Sequence, residues 1–115
     1  MIAANGIDKP IDIDQNFAVE YLQDAATSTN INVPICKYVV ACGRYLLMAG
    51  DPLEPDRIHI SAKDAAGTWF GDPPPNDATR IDIGSVLSGA TTIRGILNLR
   101  GRPIVMFAEG LIFGE

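Results

Sequence analysis

The sequence predicts an all-β protein built from antiparallel hairpins, and three observations carry that expectation. A strand, a tight glycine turn and a second strand occur twice, as CKYVVACGRYLLMA at 36–49 and RGILNLRGRPIVMF at 94–107. Gly43-Arg44 and Gly101-Arg102 hold the same place in each copy, a spacing of 58 residues from 43 to 101. A nearly unbroken apolar run follows each turn, Tyr45 to Ala49 and Pro103 to Phe107, and an alternating segment follows each run, Arg57 to Ser61 and Leu111 to Phe113. Short strands repeating at a period of a few tens of residues mark a β-array, and propeller blades in particular. The predicted architecture is about two blades of a partial β-propeller. It forms one domain, 1–115, with blade-like units near 33–90 and 91–115, the second incomplete, and 1–32 as a closing or connecting segment.

The elements follow in chain order. Ile2-Ala3-Ala4 reads as the end of a strand, with Asn5-Gly6 as a turn. PIDID at 10–14 alternates apolar and acidic residues, as a half-buried or edge strand does, with Ile11 and Ile13 inward. Pro10 belongs at its start, where no ladder donor is needed. FAVEYLQDAA at 17–26 is the one plausible helix, although a loop or a strand suits it as well. Polar residues 27–32 form a connection. Tyr38 to Cys42 and Tyr45 to Ala49 make the first hairpin, and Gly50-Asp51-Pro52 stops it. In Arg57 to Ser61, Ile58 and Ile60 share one face, while Arg57, His59 and Ser61 share the other. A small-residue loop leads to Trp69, and residues 71–77 make an exposed, proline-rich excursion. Arg80 to Ile83 alternates again, 85–90 turns, and the second hairpin runs from Thr92 to Phe107. Leu111 to Phe113 begins a further strand that ends mid-blade. Two blades cannot close a ring, so either more chain or further copies complete the unit, or the architecture is not a propeller.

Composition narrows the function classes. A hydrophobic content of 47% with 20% charged residues describes a globular chain. No apolar stretch reaches the roughly 20 residues of a membrane-spanning helix. The N-terminus lacks a basic segment followed by a long apolar core, which argues against independent secretion. A net charge of −5 makes a poor general nucleic-acid binder, but suits a passage that DNA traverses without sticking. Cys36 and Cys42 are six positions apart on one predicted strand. That is about 20 Å of extended chain, too far for a disulfide. Two small buried thiols are expected instead.

No constellation of catalytic or metal-binding residues stands out. His59 is the single histidine, and no Gly-x-Ser-x-Gly elbow accompanies it or Ser61. It is expected as a solvated or interfacial strand residue. Cys36 and Cys42 sit in apolar surroundings without the cationic neighbours that activate a thiol. Zinc-ligand spacing and phosphate-cradling glycine loops are both absent. Asp8, Asp12 and Asp14 lack a calcium-loop pattern and read as a solvated strand face, and Asp72, Asp77 and Asp82 are scattered. Arg94, Arg100 and Arg102 form the densest basic group, expected in rim salt bridges. Trp69 and Tyr45 are packing residues or a ligand platform. No cofactor and no catalytic residue is expected, and the chain is read as something other than an enzyme.

The order of features resembles one family. Asn5, Gly6, Asp8 and Pro10 form an Asn-Gly-x-Asp-x-Pro segment, and a strand carrying Gly-Arg and an apolar run follows. Pro55, Asp56, Arg57 and Ser61 come next, then Trp69, then the Ile93 to Ile112 stretch with its two Arg-Gly steps. This looks like the β-propeller structural proteins of tailed bacteriophages, of the packaged-DNA stabilisation (stopper) or tail-nozzle type. Such proteins are normally several times longer, with a complete propeller and docking elements. The resemblance implies a structural virion protein in a head-to-tail or tail-nozzle assembly. It would dock on portal, adaptor or tail subunits and on further copies of itself, chiefly through loops 50–56 and 71–79, and meet DNA only in passage. The other reading is a carbohydrate- or protein-binding propeller-like module using Trp69 and Tyr45.

Overall fold

Strand chemistry dominates the chain, and strands are what form. A computed structural model describes residues 2–23, 30–72, 76–82, 93–107 and 110–113. Among these there is no helix, and every strand pair is antiparallel. Three open meanders follow one another. The first holds β1 (Ile2–Ala3), β2 (Ile11–Ile13) and β3 (Val19–Tyr21). The second has four strands, β4 (Tyr38–Cys42), β5 (Tyr45–Ala49), β6 (Arg57–Ile60) and β7 (Thr79–Asp82). The third holds β8 (Ile93–Leu99), β9 (Arg102–Phe107) and β10 (Gly110–Phe113).

The stretch from Phe17 that suited a helix instead contributes β3, paired with β2 through Ile11↔Tyr21 and Ile13↔Val19. A helix this short is marginal without an apolar face to bury, and β2 offers a ladder instead. The part of that stretch beyond Gln23 lies outside the described residues, as do the tip of the proline-rich excursion at 73–75 and the 85–90 turn.

Both hairpins close on two-residue loops, but the glycines take different places in them. In the first, Cys42 pairs with Tyr45, and Gly43 (φ 63°) is the left-handed residue of the loop. In the second, Leu99 pairs with Arg102, so the loop is Arg100-Gly101, and both residues are left-handed (φ 54° and 83°). These are the dihedral patterns of type II′ and type I′ turns, respectively, and both match the twist of the flanking strands. Gly-Arg therefore does not mark equivalent positions. Arg44 lies within its turn, whereas Arg102 already opens β9. The tips also touch: the Cys42 thiol donates to the Gly101 carbonyl (3.1 Å), and the Asn98 amide donates to the Ala41 carbonyl (3.0 Å).

The central strands of the four-stranded sheet are covered on both faces, while β7 is largely exposed. On one, Cys42, Leu47, Ala49 and Ile58 pack against Ile93 and Val105 of the third meander, with Tyr38, Val40, Ile60 and Ile96 at the margin. On the other, Leu46 and Met48 pack with Leu22, Val33, Cys36 and Trp69, joined by Ile2 and Val39. Cys36 precedes β4 rather than sharing its strand, and the two buried, unpaired thiols lie in opposite layers. The first strand of the third meander, β8, lies against β4 and β5.

Trp69 anchors the second layer. Its indole N–H donates to the Ala66 carbonyl (2.8 Å), and its backbone N–H donates to Asp72 (2.8 Å). Asn32 reaches the other Asp72 oxygen (2.9 Å), and Asn76 caps the Trp69 carbonyl (2.9 Å). Where β6 ends, the buried Ser61 hydroxyl accepts from the Leu46 backbone N–H (2.9 Å), replacing a ladder bond. Deleting so large a buried side chain costs about 3–5 kcal/mol. Trp69→Ala is therefore expected to lower the urea midpoint sharply, by an equilibrium cost within that range, with tryptophan-independent circular dichroism as the readout.

Candidate functional site

Three chemically active side chains meet in the second layer, although they are distant in sequence. The described residues contain one group of His, Cys, Asp or Glu ligand atoms that converge: Cys36, Asp51 and His59, all within 4.8 Å of one another. Cys36 enters from the segment before β4, Asp51 from the loop after β5, and His59 from the middle of β6, opposite Met48 on one side and Arg80 on the other. Gly50 makes the bend that delivers Asp51. Its φ is +82°, and a Cβ there would stand 2.8 Å from the Tyr38 ring and 3.0 Å from Lys37 Cβ. Asp51 Oδ1 then accepts from the Leu53 N–H (2.9 Å), which fixes the carboxylate.

His59 is only 9% exposed. It is thus not the solvated strand residue that alternation alone suggests, because segment 31–36 and the 50–56 loop fold across its face. Burial lowers its pKa, outweighing the hydrogen bond with Asp51, which raises it. The imidazole is neutral at pH 7, so Nε2–H donates to Asp51 Oδ2 (3.1 Å). Burial first, and then the Asp51 charge, push the Cys36 thiol up to about 12. Cys36 is 0% exposed and carries its proton, so this is not an activated Cys–His pair.

Asp51 and His59 open onto a cleft of about 390 Å³, a volume within the range of small-molecule sites. Ile7, Ile31, Leu53 and Phe70, all largely exposed, line it. Its cations are already engaged. Arg57 forms a fork on Asp82, with Nε at 2.7 Å and Nη2 at 3.2 Å from the carboxylate oxygens. Arg80 stacks over the Phe70 ring at 4.2 Å. Lys9 Nζ donates to the Val33 and Ile31 carbonyls (2.5 and 3.2 Å).

The residues singled out from sequence lie elsewhere. Gly43, Arg44, Gly101 and Arg102 are at the hairpin tips, and Arg44 pairs with Asp64 on the surface. Tyr45 lines a groove of about 580 Å³ between the two hairpins, together with Gly101 and Pro103. Trp69, at 1% exposure, offers no ring face to a sugar. Arg94 lies near the start of β8, while Arg100 and Arg102 flank its far end, so the three do not form one patch. Asp14 spends its Oδ1 on the Asn16 and Ala18 N–H groups, at 2.8 and 2.9 Å. The residue missed from sequence is Asp51, read there only as part of a strand stop. A glycine that must adopt positive φ between a buried strand and an Asp-Pro step is the one local sign of it.

Two outcomes follow from this geometry. Gly43→Ala, in an open turn, should cost about 1 kcal/mol for its left-handed backbone. Gly50→Ala should cost measurably more in the same urea titration, because its Cβ also meets the Tyr38 ring. The Arg57 hydrogen bond holds the Asp82 carboxyl below the ordinary carboxylate range. A lowered folded-state pKa gives stability that is full above the unfolded value and is lost as pH falls through the folded one. Asp82→Asn should therefore cost up to about 1 kcal/mol at pH 7, discounted for its exposure, with parent and variant converging as the pH falls through the lowered folded-state value. Comparison of the chain with protein-family models, with characterised proteins and with solved structures finds no match.

Proposed function

We propose that this chain is a structural module of a virion, a blade-bearing component of a phage head-to-tail or tail-nozzle assembly that helps retain or guide packaged DNA by docking on its neighbours. One observation carries the reading: antiparallel meanders succeed one another along the chain, and the third stacks its face on the second with its first strand, β8, against β4 and β5. Successive antiparallel meanders with one stacked on the next are the unit that a propeller repeats around its axis, which supports the reading. Among the described residues each meander keeps open edges, and open edges gain from further units on either side. The partners are portal, adaptor or tail subunits and further copies of this chain.

Docking falls to the rim of the cleft. Leu53, 87% exposed on the 50–56 loop, stands with Ile7 and Ile31 as an apolar group of the kind that anchors subunit contacts. The net charge of −5 suits a conduit, since acidic surfaces let a phosphate backbone slide without adhesion. The role needs shape and contact area, and no catalytic step.

The test is incorporation into particles. In cells producing the assembled particle, crosslinking and electron microscopy should find the chain at the portal or tail axis. Leu53→Asp should lower its incorporation by about tenfold or more, the size expected of a lost apolar anchor, with the thermal midpoint unchanged. A chain recovered only as a free monomer in the host cytoplasm, with particles complete without it, overturns the reading.

A further inference from the structure

We propose that Cys36, Asp51 and His59 form a binding site for a zinc-class divalent transition metal, with its fourth coordination position facing the cleft. The inference is independent of the virion reading. It rests on the convergence of one sulfur, one oxygen and one nitrogen donor from three separate segments, their ligand atoms within 4.8 Å of one another.

The donor set selects the metal. Thiolate and imidazole are ligands for zinc and its neighbours, whereas calcium and magnesium take oxygen shells. The geometry is near what such an ion needs. Metal–ligand bonds of about 2.0–2.3 Å in a tetrahedron put neighbouring donors roughly 3.3–3.8 Å apart. His59 Nε2 and Asp51 Oδ2 already stand at 3.1 Å. The remaining adjustment is an approach of the Cys36 sulfur, which stands no more than 4.8 Å from the other two donor atoms, within the reach of a χ1 change and a small shift of the segment before β4.

Charge balances as well. A dication held by one thiolate and one carboxylate is neutral overall, which removes the cost of burying an unpaired ion. On binding, the Cys36 thiol gives its proton to solvent as the sulfur–metal bond forms. The His59 proton moves from Nε2 to Nδ1, so that the Nε2 lone pair meets the metal, and Asp51 exchanges its histidine hydrogen bond for a metal bond. Cys36 closes the site from the core side, while Asp51 and His59 line the cleft. The open position therefore points outward, to water or to a side chain of a docking neighbour. Three protein ligands with one free position is the arrangement of a reactive or shared metal, as distinct from a sealed structural one.

Cys42 provides an internal control. It is also buried and unpaired, but it belongs to the opposite layer and bonds to the Gly101 carbonyl. The full chain, reduced and stripped with chelator, is titrated with Co²⁺ and with Zn²⁺. The expected result is a thiolate-to-cobalt charge-transfer band that saturates at one equivalent and is displaced by Zn²⁺, together with a rise in the thermal midpoint on adding Zn²⁺. The band should persist in Cys42→Ala and vanish in Cys36→Ala, a substitution small enough to keep the layer packed. Asp51→Asn, which retains shape, should weaken Zn²⁺ binding by about tenfold or more while leaving the metal-free thermal midpoint close to the parent's. No band and no thermal shift in the reduced parent overturns the proposal. So does a band that survives Cys36→Ala or depends on Cys42.

Discussion

A sheet whose two central strands, β5 and β6, are covered on both faces is the constraint on which the rest of this molecule depends. Most antiparallel sheets leave one side to solvent and show it as strict alternation of apolar and polar residues. Here β5 reads Tyr-Leu-Leu-Met-Ala, and Leu46 to Ala49 are all buried. Leu47 and Ala49 look toward the third meander, and Leu46 and Met48 look toward Trp69. Each layer needs cover from chain remote in sequence, so the segment before β4, the loops after β5 and β6, and the β8–β9 hairpin are all committed to packing. The site exists because of that commitment. The same folding-over that covers Met48 brings Cys36 and Asp51 to His59.

The polar groups within the second layer follow from it too. A backbone turned inward must have its N–H and C=O groups bonded. Ser61 serves Leu46, Asp72 and Asn76 serve Trp69, and Lys9 serves the carbonyls of Ile31 and Val33. Asp51 and His59 belong to this class in one respect, since each partners the other. They differ in opening onto a cleft, and in having a thiol as the third member.

The hairpins were legible because two local signals agreed: apolar alternation with β-branched and aromatic residues, and a glycine where the turn needs positive φ. The turn register was less legible. Gly-Arg is the same dipeptide in both copies, yet the left-handed positions are Gly43 alone in one and Arg100 with Gly101 in the other. Letters show which residue tolerates positive φ, while cross-strand pairing decides where the turn falls. His59 misled for a different reason. Alternation in Arg57 to Ile60 normally means one solvated face, but both faces of β6 are covered, one of them by segments that carry no strand period. The Cys36, Asp51 and His59 grouping has no motif spacing because no single turn or strand makes it, and only tertiary closure does. Val19–Tyr21 went to strand rather than helix because β2 was available as a partner, which is again a fact about neighbours.

Covering a sheet in two instalments has a consequence for its synthesis. Leu22, Val33 and Cys36, which supply part of one cover, leave the ribosome ahead of the sheet they protect, while Trp69 of that cover follows β6 and Ile93 and Val105 of the other come out later still. Through that interval Leu47, Ala49 and Ile58 present a bare apolar plane edged by unpaired strands. At ordinary elongation rates of roughly 5–20 residues per second the exposure lasts for seconds. Neighbouring nascent chains on a crowded polysome can pair with it in that time. The second hairpin is therefore the element whose late arrival leaves that plane uncovered the longest.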